Sequence, residues 1–134
     1  MTEATKHHRR RVLIVDDEPS MCELVERVLR DAGYDVQSAT SGSDALKIVE
    51  SQRPFDLVVA DVMMPEMMGD ELARRLRQID LDVKVLYLTG FIDKLFERKS
   101  SLWADEAFLE KPAGTESLIE AVSLLLFGHI TPPA

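Results

Sequence analysis

Short apolar runs alternate along this chain with segments whose apolar residues recur at helical spacing, about five times over. Val12-Leu13-Ile14-Val15 is continuous and apolar, as expected of a strand buried on both faces. Pro19 then stands where a first helical residue belongs, and Met21, Cys22, Leu24, Val25, Val28, Leu29 and Ala32 follow at helical spacing up to Gly33. Tyr34 to Ala39 reads as a weaker strand. A helix over about Ser43 to Glu50 follows, capped by Ser41 or Ser43. Leu57-Val58-Val59-Ala60 is the second strong run and ends at Asp61. Gly69 precedes a third helix carrying Leu72, Ala73, Leu76 and Ile79. Val83 to Leu88 predicts a fourth strand ending at Thr89-Gly90, and Asp93 to Leu102 a helix with sparse apolar residues. Ala107-Phe108-Leu109 is a short fifth strand, and Thr115 caps a last helix through Leu126. Strands alternating with helices imply a parallel sheet covered by helices on both faces.

Composition narrows the class. At 134 residues the chain suits one domain with a single sizeable core. A net charge of −8 argues against a dominant nucleic-acid surface, because phosphate binding needs Lys and Arg. Cys22 is the only cysteine, so no intramolecular disulfide can form, and a small core residue is the expected role. No apolar run approaches the length of a membrane span, and the basic start is followed by too short an apolar stretch for a signal peptide. Cytoplasm is the expected compartment. Residues 1–9, with His7 and His8, read as a polar tail, and Arg9 to Arg11 as solvated cations; residues 128–134 read as a second, extended tail around Pro132-Pro133.

The chemistry gathers where the apolar runs stop. Asp16 and Asp17, Asp61, Thr89 and Lys111 each follow or end a strand segment, at the edge of an open α/β sheet where ligands bind. Three acids converging there repel one another unless protons or a cation intervene. An oxygen-rich cluster open to water suits Mg²⁺. Asp61 would then serve as metal ligand and nucleophile, Lys111 would pair with phosphoryl oxygens, and Thr89 would donate a hydrogen bond. Each feature alone has a plain structural reading: helix-start acids, a loop cap, a strand end, a solvated lysine. Their coincidence at four strand ends carries the argument.

The blocks Val12-Leu13-Ile14-Val15-Asp16-Asp17-Glu18-Pro19, Ala60-Asp61-Val62-Met63-Met64-Pro65, Leu88-Thr89-Gly90 and Phe108-Leu109-Glu110-Lys111-Pro112 resemble the four signature blocks of bacterial two-component response-regulator receiver domains. The resemblance covers about residues 10–127, in the family's order, with Asp61 forty-four residues after Asp17 and Lys111 twenty-two after Thr89. It implies a flavodoxin-like three-layer α/β sandwich with strand order 2-1-3-4-5. It implies Asp61 as phosphoacceptor, Asp17 as direct Mg²⁺ ligand, Asp16 acting through water, and the Met63 backbone carbonyl as a further ligand. By the same resemblance Thr89 and Phe108 form a switch pair, and the Lys111-Pro112 bond is cis. The implied partners are a sensor histidine kinase or phosphotransfer protein and a downstream protein, with neither nucleic acid nor membrane bound.

Some positions depart from the commonest pattern. Met68 precedes the glycine where an acid or amide is frequent, Gly90 replaces a frequent alanine, Phe108 a frequent tyrosine, and Ala113-Gly114 a bulky apolar residue. None removes a catalytic group; they bear on how the signal is read out. Met63, Met64, Met67 and Met68 suit flexible packing better than a metal site, since Mg²⁺ does not choose sulfur. Trp103 reads either as a partner anchor or as part of the cover under the fourth helix. Two other functions compete: a metal-dependent phosphohydrolase, for which no substrate cap is visible, and a degenerate docking scaffold, against which the intact Asp61, Thr89 and Lys111 speak. The chain reads as carrying no DNA-binding or enzymatic output.

Overall fold

The computed structural model describes residues 9–99, 101–102 and 105–128. The expectations for His7, His8, Trp103 and Pro132-Pro133 lie outside these. Five strands, β1 (Arg11–Val15), β2 (Asp35–Ala39), β3 (Leu57–Ala60), β4 (Lys84–Thr89) and β5 (Glu106–Glu110), alternate with α1 (Pro19–Asp31), α2 (Gly42–Gln52), α3 (Gly69–Ile79), α4 (Ile92–Arg98) and α5 (Thr115–Phe127). All neighbouring pairs are parallel and the order is β2-β1-β3-β4-β5, as the resemblance implies.

The unbroken apolar runs lie at the centre for a physical reason. In β1 and β3 both faces are covered, so neither pleat tolerates a polar side chain. Val12, Ile14, Leu57, Val59, Leu86 and Leu88 face one side and pack with Leu29 of α1 and Leu118 and Val122 of α5. Leu13, Val15, Val58 and Ala60 face the other, against Ala45 and Val49 of α2 and Leu72 and Leu76 of α3. A smaller cluster of Val85, Tyr87, Ala73 and Leu95 lies under α4. Each Val or Leu so buried contributes roughly 1.5–3 kcal/mol. Gly33 ends α1 at φ +101°, which lets the Tyr34 N–H return to the Leu29 carbonyl at 3.1 Å.

Three expectations are corrected. The fourth helix stops at Arg98 instead of reaching Leu102: Lys99 is extended, and Leu95 is its one fully buried side chain. Thr115 is the first helical residue rather than the cap, a place taken by Gly114 without a side-chain bond. Arg10 and Arg11 are not tail cations. Arg11 belongs to β1, stacks 4.2 Å from the Phe55 ring centroid and donates to the carbonyls of Gln52 and Pro54. Arg10 lies over Phe127 and 3.8 Å from Asp56. The strand continues far enough to bring both guanidinium groups onto aromatic faces.

Candidate functional site

Parallel register brings the four strand ends to one edge. The Asp61 N–H bonds the Val15 carbonyl at 3.0 Å, and the Asp16 N–H bonds the Ala39 carbonyl at 3.2 Å. The aspartates that follow β1 and β3 are thereby set side by side. On the far side the Lys111 N–H bonds the Thr89 carbonyl at 2.8 Å, carrying the β4–β5 ladder one residue beyond the strand. The Lys111-Pro112 bond that follows is cis, as expected.

Asp16, Asp17 and Asp61 present carboxylate oxygens within 4.8 Å of one another. Asp16 and Asp61 are buried and Asp17 is exposed. The Lys111 ammonium sits between the buried two, 2.7 Å from Asp16 Oδ2 and 3.3 Å from Asp61 Oδ2. Asp16 Oδ1 also accepts the Glu18 N–H at 3.0 Å, so both its oxygens are engaged. The Met63 N–H reaches Asp61 Oδ1 at 3.4 Å from the loop after β3. Thr89 is fully buried at the end of β4, and its Oγ1 accepts the Phe91 N–H at 3.0 Å.

The electrostatics follow from this crowding. Burial raises the Asp61 pKa, the nearby Lys111 charge opposes this, and the Asp16 charge adds to the rise; hydrogen bonds from Thr89 and Lys111 soften it. For Lys111, burial disfavours the charged form, but the bond to Asp16 and the charges of Asp61 and Asp16 outweigh it, so the pKa stands above the usual lysine value. Lys111 is therefore charged at neutral pH, one cation paired with two of the three clustered carboxylates. The cluster is an acid site with charge left to neutralise.

Residues around the acids support them from behind. The Cys22 thiol donates to the Asp16 carbonyl at 3.3 Å, and burial followed by the Asp16 charge pushes its pKa up to about 11; it is an inert core group. Gly69 presses against the acceptor strand. A Cβ there would lie 2.1 Å from the Asp61 carbonyl oxygen, and the Gly69 N–H bonds the Val62 carbonyl at 2.8 Å. Only glycine lets α3 begin this close to Asp61. Met64 and Met67 are buried in the core, in line with a packing role for the methionines. Phe108 lies apart from the acids, 44% exposed, its ring edge-on to Phe96 with centroids 5.5 Å apart.

A family model described as the response regulator receiver domain matches residues 12–123. The chain belongs to this family. It is 33% identical to the response regulator receiver protein CpdR of Brucella abortus (strain 2308) over 87% of this chain and 97% of that one. It is 38% identical to the sensor kinase CckA of the same organism, over 86% of this chain but 12% of the kinase. The receiver domain thus matches nearly the whole of one relative and a small part of another. A solved structure of the response regulator TrrA of Thermotoga maritima, in complex with Mg²⁺ and BeF, superposes with a TM-score of 0.76 at 35% identity, covering 87% of this chain and 99% of that one. Among the described residues no helix is long and apolar enough to cross a membrane.

Proposed function

We propose that Asp61 of this receiver domain accepts a phosphoryl group from a histidine kinase or phosphotransfer protein, with Mg²⁺ as the required ion, and that the changed surface is read by a downstream protein in the cytoplasm. The observation that carries the reading is the set of three carboxylates gathered at the sheet's carboxyl edge, the buried two of them paired with Lys111. Phosphoryl transfer depends on charge neutralisation and in-line placement, which such a set can provide. A carboxylate oxygen of Asp61 forms the new bond to phosphorus, and the bond from phosphorus to the donor nitrogen breaks, leaving the imidazole to take up a proton. Lys111 pairs with the transferred oxygens and Thr89 supplies a hydroxyl donor.

The donor set fits the ion: hard oxygen ligands only, one carboxylate facing water, and a net negative charge that Lys111 leaves uncompensated. Asp17, exposed, is assigned direct contact, together with Asp61 and the Met63 carbonyl, while Asp16, bound to Lys111 and Glu18, acts through water. When bound, Mg²⁺ supplies the positive charge that brings carboxylate and phosphoryl group together. Thr89 and Phe108 are assigned the switch: drawing the Thr89 hydroxyl inward leaves room for the Phe108 ring to turn in. Any turnover is confined to self-phosphorylation and self-dephosphorylation.

The test is incubation with acetyl phosphate and Mg²⁺ followed by intact-mass measurement. One phosphoryl group is expected on the wild type and none on Asp61→Asn; equal labelling of the two would sink the assignment.

A further inference from the structure

Helix α4 is held by charge to an unusual degree. Of its seven residues Leu95 alone is buried, whereas Phe96 remains 39% exposed and no side chain caps its start. One buried leucine is little apolar burial for a helix of two turns. The fastening lies at its carboxyl end. Arg98 Nε bonds Asp70 Oδ1 in the first turn of α3. The next residue, Lys99, reaches inward and bonds Glu106 Oε1 at the start of β5. Glu106 has a side chain with no exposed surface, and it also accepts the Tyr87 hydroxyl at 3.2 Å and lies 3.6 Å from Arg77 Nη2.

This arrangement has two consequences. Lys99 does not slide gradually: Glu106 has no exposed side-chain surface and Lys99 keeps 14%, so intermediate positions leave the carboxylate short of charge in a medium of low polarity. Nor is the cost of breaking it prohibitive. Arg77, anchored by Asp105 at 2.9 Å, and the Tyr87 hydroxyl stay with Glu106 when Lys99 leaves, so the carboxylate keeps partners. A contact that is all-or-none yet affordable to open is a latch.

We infer that the Lys99–Glu106 pair is an electrostatic latch that holds α4, and with it the edge-on Phe96–Phe108 pair, in one of two discrete positions. Opening it leaves the carboxyl end of α4 to the more exposed Arg98–Asp70 pair, while the amino end stays tied through the Phe91 N–H to Thr89 Oγ1. The helix then swings about its own start, next to the acid cluster. The latch itself stands independently of the assignment of Asp61, and its test needs no phosphoryl donor.

The experiment is amide hydrogen exchange on the full chain, comparing wild type with Lys99→Met, which keeps the aliphatic stem, and Lys99→Arg, which keeps the charge. In Lys99→Met the amides of α4 should exchange at least about tenfold faster, the ratio set by losing a charge-assisted hydrogen bond. Those of β1 and β3 should stay unchanged, and Lys99→Arg should fall closer to wild type than Lys99→Met does. Unchanged exchange in α4 overturns the inference. So does acceleration spread evenly over the sheet, which would make Lys99 a general stabiliser and not a latch.

Discussion

At the carboxyl edge of the sheet three aspartates cluster and two of them share Lys111, whereas between α3, α4 and β5 two acids, Asp105 and Glu106, meet two cations, Arg77 and Lys99. Both groups bury carboxylates beside a lysine. The first is short of positive charge and one of its acids faces water; the second is balanced, and Tyr87 adds a neutral donor. Burial and the Glu106 charge hold the Tyr87 phenol far above its usual pKa, so it remains protonated and keeps donating. Balance closes a cluster and makes it structural. Imbalance leaves one open to a cation and to chemistry, at the expense of stability.

The sharpest way to break this comparison is to remove one acid from each cluster. Glu106→Ala takes the buried carboxylate from Lys99 and weakens the hold on Arg77, which keeps Asp105; losing one partner of such a pair costs about 3–5 kcal/mol, a fall in Tm of roughly 10 °C or more. Asp61→Asn should move the other way. It relieves repulsion from Asp16 and the burial of a charge that already raises the Asp61 pKa, so Tm without Mg²⁺ should rise. Thermal melts decide it: a loss of stability in both variants would mean that the site acids are as well compensated as the buried pair.

A finer test lies inside the open cluster. Asp16 has both oxygens engaged while Asp17 is exposed, so Asp17→Ala should weaken Mg²⁺ binding more than Asp16→Ala. A drop of about tenfold or more is expected for loss of a direct charged ligand, against a smaller one for a ligand acting through water. Titration showing the reverse order would exchange the two roles.

The same contrast explains what the sequence made legible. The central strands and the gathering of Asp16, Asp17, Asp61, Thr89 and Lys111 follow from unbroken apolar runs with polar residues at their ends, a local pattern that tertiary context does not override, whereas the strand order rests on the family resemblance. The closed cluster has no such pattern. Glu106 and Phe108 lie on the same face of β5, yet the acid is buried and the aromatic exposed, the reverse of what their polarity suggests. That inversion depends on Arg77 and Lys99, which lie on other elements. The early stop of α4 has the same origin, since Lys99 leaves the helix to reach Glu106. The places of Arg10 and Arg11 are not legible in the sequence, because cation–aromatic stacking depends on where Phe127 and Phe55 come to lie, not on neighbours in the chain.

The smallest effect concerns how water enters the open cluster. Hydrolysis of an aspartyl phosphate needs a water in line with phosphorus, and by family resemblance the residues two after Asp61 and two after Thr89 flank that approach. Here these are Met63, half-buried in the loop after β3, and Phe91, 54% exposed at the start of α4. Neither side chain carries an acid or amide that could orient a water, and both are bulky. Phe91 is further restrained because its N–H is bonded to Thr89 Oγ1, which keeps its backbone beside the site. Phosphoryl loss should therefore be slow in the wild type. The double variant Met63→Asn/Phe91→Glu should lose phosphate about tenfold faster at equal Mg²⁺, the order of effect of one well-placed polar group on a transition state. Following the phosphorylated mass with time measures it. If the double variant loses phosphate no faster, access of water is governed elsewhere, and the openness of the acid cluster has no kinetic consequence at these two positions.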